Sequence, residues 1–185
     1  MTVFLLRHAQ TGGNLERRYI GSTDEPLCPQ GREALAQVRP PEADAVYVSP
    51  MLRCRETAAL LYPGREQRVV PGFRETSFGA FEGHTYEELK DDPAYQHWLD
   101  SAGAAPPPGG EGKAAVRRRV TEAFLALTMR HGPEDRAVLV VHGGTIMTLL
   151  EAFESSHRFY DWQAPNGGGW RCRWREGALT DVEKL

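Results

Sequence analysis

Two apolar runs in this sequence each end in a histidine beside a glycine turn. VFLLRHAQTGGN (residues 3–14) delivers Arg7 and His8, and VLVVHGGTIM (138–147) delivers His142 ahead of Gly143 and Gly144. A third run, AVYVS (45–49), leads into a helical pattern carrying Arg53 in its first turn. Strands that drop their last residues into one crevice would gather these groups, because open α/β sheets bind ligands beyond the carboxyl ends of their strands. The alternative for any one of them is a side chain solvated at the sheet edge. Arginine forks match phosphate oxygens in charge and geometry. The helix expected after His142 would add unpaired backbone N–H groups and a positive dipole end. Two arginines, two imidazoles and helix-terminal amides describe a pocket for a dianion. A neutral imidazole there can attack phosphorus, and the phosphoramidate it forms is labile to water.

A departing alkoxide needs a proton. GFRETSFGAFEGHTYEEL (72–89) supplies Glu75 among Phe73, Phe78 and Phe81, a setting suited to a carboxyl that gives a proton and later takes one back. Glu82 competes for this role, but its place just before a helix near 85–91 suits it better to serving a turn.

These groups need a scaffold, and the pattern supplies alternating elements. Strands are expected at 3–7, 45–49, 67–70 and 137–141. Helices are expected at about 30–38, 52–62, 85–91, 94–101 and 114–132, the last with Gly132 as its C-cap, and another follows His142. Residues 12–29 read as a loop. GAAPPPGGEGK (103–113) has too many prolines and glycines for regular structure. The Arg117–Arg118–Arg119 run reads as a solvated helix face. NGGGW (166–170) reads as a turn before a terminal hairpin around Glu176 and Gly177. Alternation of this kind predicts an α/β fold, a three-layer α/β/α sandwich on a mostly parallel sheet, in a single domain spanning 1–185.

The 185 residues are 41% hydrophobic and 25% charged, ordinary for a globular protein. A net charge of −3 gives no footprint for nucleic acid or an anionic membrane, so any anion site must be local. No apolar run approaches the roughly 20 residues of a membrane span, and no leader pattern precedes the first strand. The three cysteines, Cys28, Cys54 and Cys172, form no CxxC pair, which argues against a disulfide framework or zinc cluster and for the cytoplasm.

Five motifs in order resemble the histidine phosphatase superfamily, in the branch of cofactor-dependent phosphoglycerate mutases and α-ribazole phosphatases. LLRHAQTGGN resembles the family's opening Arg-His-Gly-Glu-Thr motif with its later Asn, and GSTDEPLCPQGREAL the loop and helix after it. SPMLRCRETA carries the second arginine, RETSFGAFEG the acid and VVHGGTIM the second histidine. The resemblance implies His8 as the phosphorylated nucleophile and His142 as the phosphate-binding partner. Arg7 and Arg53 match the phosphate arginines and Glu75 the proton donor. Thr11, Asn14 and the Gly143 amide match positions that hold the phosphoryl group or substrate. Ala9 and Gln10 depart from the usual glycine and glutamate, and Cys28 and Cys54 from frequent Thr and Ala.

His84, His97, His131 and His157 lack metal-ligand spacing and read as surface or satisfied side chains, with His84 alone near enough to the acid to be a pocket candidate. Trp98, Phe81 and Trp162 could stack on an aromatic substrate, but suit the core equally well. The combined expectation is a phosphomonoesterase needing no metal or cofactor and acting on a small phosphorylated metabolite, with α-ribazole 5′-phosphate as a candidate, as monomer or homodimer. A phosphoglycerate mutase is the alternative within the family. The stretch between Glu75 and His142 and the tail after His142 are short for one. A non-catalytic phosphate-binding module is the alternative outside catalysis, and it should have lost His8, Glu75 or an arginine.

Overall fold

Successive side chains of the first strand, β1 (Thr2–Arg7), enter two different cores. Val3 and Leu5 join one apolar cluster, while Phe4 and Leu6 join the other. The same alternation runs through β2 (Ala45–Val48) and β4 (Arg136–Val141), as strands covered on both faces require. A computed structural model describes residues 1–154 and 156–185. Its six-stranded sheet has the order β3-β2-β4-β1-β5-β6, with β3 at Gln67–Val69, β5 at Gly169–Arg175 and β6 at Ala178–Lys184. Strands β1 to β4 run parallel to their neighbours among themselves. The terminal hairpin β5–β6 adds two antiparallel strands through β1.

Helices α2 (Pro29–Leu35) and α3 (Leu52–Leu61) cover one face through Leu35, Cys54, Ala58 and Leu61. Helices α6 (Lys113–Thr128) and α7 (Gly143–Phe153) cover the other through Val116, Val120, Phe124, Leu127, Ile146 and Leu149. The expected sandwich is therefore the one observed. Beyond the sheet a third cluster buries Phe81, Leu89 and Tyr95, with Tyr19, Phe78 and Trp98 packed on it. Phe81 and Trp162 are core residues, and Trp98 sits partly buried against Phe81. Among the described residues no helix is long and apolar enough to cross a membrane.

Several boundaries differ from expectation. The loop 12–29 contains a short helix, α1 (Gly12–Leu15), closed by a capping box between Thr11 and Asn14. The helices expected at 85–91 and 94–101 are α4 (Tyr86–Leu89) and α5 (Pro93–Asp100), separated by Asp92, which caps α5 ahead of Pro93. Gly132 is not a C-cap. Helix α6 stops at Thr128, and His131 turns inward, where its ring bonds Tyr47 Oη at 2.8 Å and Asp135 at 3.0 Å.

Candidate active site

Strand register brings the histidines together. Arg7 pairs with Val141 and Val48 with Val140, so His8, His142 and Ser49 leave three adjacent parallel strands at one end of the sheet. The two imidazole rings lie 5.2 Å apart, centroid to centroid. Both are buried.

His8 Nδ1 lies 2.7 Å from the Ala9 carbonyl oxygen. A carbonyl only accepts, so Nδ1 carries the proton and the lone pair sits on Nε2. The Ala9 backbone is itself tied down, its N–H donating to Thr57 Oγ1 at 3.0 Å while that hydroxyl donates to the Arg53 carbonyl at 2.7 Å. The methyl group that Ala9 adds over glycine is absorbed in the core beneath α2 and α3. Burial, reinforced by the Arg53 and Arg7 charges and only partly opposed by the Ala9 bond, holds His8 down to about 3. The ring stays neutral at any physiological pH, which leaves its lone pair available.

That depression makes stability pH-dependent in a definite sense. The unfolded chain protonates this histidine near the ordinary 6.5 while the folded chain does not. Stability is therefore complete above that pH and falls below it, by up to about 1.4 kcal/mol per pH unit for each such ring. His142 is pushed the same way, first by burial and then by His8, Arg53 and Arg7. Urea unfolding should show stability dropping between about pH 6.5 and 5, above most carboxylate titrations, and His8→Asn should shallow the slope. A flat profile in the native protein would contradict the buried, neutral assignment.

His142 is held through both ring nitrogens. Arg53 Nε donates to Nδ1 at 3.3 Å, and Nε2 contacts Ser49 Oγ at 2.7 Å. A direct bond from this ring to a phosphate oxygen would have to exchange one of these, and the longer Arg53 contact is the weaker. The other Arg53 nitrogens donate to the carbonyls of Thr23 and Gly21, both at 2.8 Å. Arg53 is fully buried, yet among the described residues neither it nor Arg7 forms an ion pair. Arg7 Nη1 donates to the Ala164 carbonyl at 2.8 Å, while its buried Nε has no partner. Buried guanidinium groups without carboxylates are costly unless an anion joins them. An unpartnered donor beside Gly143 fits a phosphate oxygen.

Glu75 stands at the start of α7. Its carboxylate accepts from Thr76 N–H at 2.8 Å and from Gly144 N–H at 3.1 Å. Residue 144 must be glycine for this approach, because a Cβ there would collide with the Glu75 carboxyl. Glu82 is committed elsewhere. It accepts from the N–H groups of Gly21, Ser22, Thr23 and Phe78 at 2.8 to 3.2 Å. Burial alone would raise its pKa, but those bonds outweigh burial and hold the carboxyl below the usual range. Glu82 has the structural role expected of it, but it ties down the loop at residues 21–23 rather than the turn before α4.

Thr11 and Asn14 cap α1 beside His8, and Asn14 Oδ1 also accepts from Asn166 Nδ2 at 3.0 Å. Asn166 reaches the His8 carbonyl at 3.1 Å and Gly167 N–H reaches the Arg7 carbonyl at 3.1 Å, so the NGGGW turn braces the strand end. His84, the pocket candidate, is exposed and bonded to the Glu82 carbonyl at 3.0 Å. Cys54 packs against the His142 ring, 3.5 Å from Nε2. Among the described residues no three His, Cys, Asp or Glu side chains are grouped to hold a metal. Arg119 corrects an expectation. Arg117 and Arg118 are exposed, but Arg119 folds inward onto the backbone of the acid segment.

Residues 3–182 match the model of the histidine phosphatase superfamily, branch 1. The chain is 30% identical over 158 residues to the adenosylcobalamin/alpha-ribazole phosphatase of Salmonella typhimurium, covering 81% of this chain and 78% of that one. The crystal structure of the alpha-ribazole phosphatase from Shigella flexneri superposes with a TM-score of 0.86 at 24% identity, covering 100% of this chain and 96% of that one. The crystal structure of a phosphoglycerate mutase from Thermus thermophilus superposes with a TM-score of 0.77 at 33% identity, covering 100% of this chain and 99% of that one.

Proposed function

The chain belongs to the histidine phosphatase superfamily, and from that premise we propose that it is a single-domain phosphomonoesterase working through a phosphohistidine on a small phosphorylated metabolite. The observation that carries this reading is the neutral imidazole of His8, its Nε2 lone pair unengaged, near the buried guanidinium of Arg53 and the half-buried one of Arg7, neither of them paired with a carboxylate. A phosphate dianion placed between them supplies the missing negative charge. His8 Nε2 then attacks phosphorus as the ester P–O bond breaks, and Glu75 protonates the leaving oxygen. Water attacks the phosphohistidine, its proton passes to Glu75, and the P–N bond breaks to release inorganic phosphate. Arg7, Arg53, His142 and the amides of Gly143 and Gly144 bear the charge that develops on the phosphoryl oxygens, while Thr11 and Asn14 border the group.

A module that only bound phosphate would have no use for Glu75 at the α7 N-terminus, and no catalytic position is missing. The mutase reading finds support in the Thermus structure, while the phosphatase names of the Salmonella and Escherichia relatives favour hydrolysis. The relatives' names point to α-ribazole 5′-phosphate. A hydrolysis panel with that ester and 3-phosphoglycerate separates the readings: phosphate release from the first supports the phosphatase, and isomerisation of the second without release supports the mutase. Because the charge stabilisers are protein groups, EDTA should leave the rate unchanged. Loss of activity restored by magnesium or zinc would overturn the mechanism.

A further inference from the structure

Arg119 lies outside the reaction just described, yet its guanidinium uses all five of its N–H donors on the acid segment and its brace. Nη1 donates to the carbonyls of Gly72 at 2.9 Å and Arg74 at 2.7 Å, and Nη2 to the carbonyl of Glu75 at 3.1 Å. Nε and Nη2 grip Glu111 through both carboxylate oxygens at 2.9 and 2.8 Å. The two side chains are only 13% and 18% exposed, so this bidentate pair is poorly screened. Glu111 in turn accepts from Ser77 N–H at 3.1 Å and from Arg74 Nη2 at 3.0 Å, while its own N–H donates to the Ser77 carbonyl at 2.9 Å. Segment 72–77 is thus fastened on both sides of Glu75. At Gly72 the backbone runs so close to α6 that a Cβ would lie 2.9 Å from the Arg119 carbonyl oxygen.

Resting on the phosphatase reading, we propose that Arg119, buttressed by Glu111, is a positioning residue for the general acid. It holds the Glu75 main chain so that the carboxyl meets the leaving oxygen at the start of α7. A salt bridge that merely stabilised the fold would not need to spend three donors on carbonyls of this one segment. Arginine is required, because lysine offers a single point of donors and cannot fork between a carboxylate and a row of carbonyls.

The consequence is a selective defect. Arg119→Lys and Arg119→Gln should slow the phosphorylation burst with an unactivated alkyl phosphate by about 10- to 100-fold, a large part of the usual worth of general-acid assistance. The burst with p-nitrophenyl phosphate, whose leaving group needs no proton, should change only a few-fold. In a Glu75→Gln background, adding Arg119→Gln should cause no further loss on the alkyl ester, since residues acting through one group are not additive. Glu111→Gln, which keeps the volume of the brace, should give a smaller defect of the same selectivity and carries the test if the Arg119 variants fold poorly. Equal losses on both esters, no loss on either, or additivity with Glu75→Gln would overturn the assignment. Absence of phosphate release from any phosphomonoester by the native protein is a different failure. It sinks the phosphatase reading, and the role of Arg119 with it.

Discussion

His8→Ala is expected to abolish turnover, lowering kcat by something on the order of 10⁶-fold, the scale on which removal of a covalent nucleophile is felt. No neighbouring group can stand in. His142 lies one strand away with both ring nitrogens engaged, and Cys54 is a buried thiol whose pKa burial drives far upward, so it offers no thiolate. The variant should still fold. The ring's removal leaves the Ala9 carbonyl without its donor, at a cost of about 1–3 kcal/mol, while the sandwich cores on both faces of the sheet are untouched. Arg7, Arg53 and the α7 amides also remain, so phosphate or vanadate should still raise the melting temperature of the variant. Two measurements check this together: acid-labile labelling from a radioactive phosphomonoester, which should vanish, and thermal stabilisation by phosphate, which should persist. Turnover above about 1% of the native rate in a clean preparation would remove His8 from the nucleophile's role.

The parts of this protein that could be read from the chain are those written in a regular period. VFLL, AVYV and VLVV are uninterrupted apolar runs because their alternate residues enter separate cores on the two faces of the sheet. Parallel strands drop their next residues at a common edge, which is why Arg7, His8 and His142 could be assigned to one crevice before any register was known. What escaped has no period. α1 is a single turn held by one capping box, too short to show a helical stripe. Arg119 sits beside two solvated arginines and differs from them only in what its side chain reaches, the backbone of a segment more than forty residues away. Ser49, Thr57 and Asn166 orient His142, the Ala9 backbone and the Asn14 side chain through hydrogen bonds across the fold. Contacts of that kind are made by topology, and a small polar residue carries no local sign of its distant partner.

Glu75→Gln should discriminate between esters by how badly their leaving groups need a proton. The carboxyl sits at the α7 N-terminus, where Gly144 N–H bonds its Oε2. In the proposed reaction this carboxyl faces the leaving oxygen of a phosphate drawn in by Arg7 and Arg53. Glutamine keeps the shape and can still accept from Gly144, but it cannot deliver that proton. Phosphorylation of His8 by an alkyl phosphate should therefore slow by about 10²–10⁴-fold, the usual worth of general acid–base assistance, while p-nitrophenyl phosphate suffers far less. The comparison has to use the phosphorylation burst. Breakdown of the phosphohistidine slows for every substrate once no carboxylate is left to take a proton from water, and steady-state rates would hide the difference behind that common step. Glu82→Gln is the control. That carboxylate is spent on the N–H groups of residues 21–23 and of Phe78, so neutralising it should cost stability and loosen the loop without any dependence on the leaving group. If the leaving-group dependence follows Glu82→Gln and is absent from Glu75→Gln, the acid has been misassigned even though His8 remains the nucleophile.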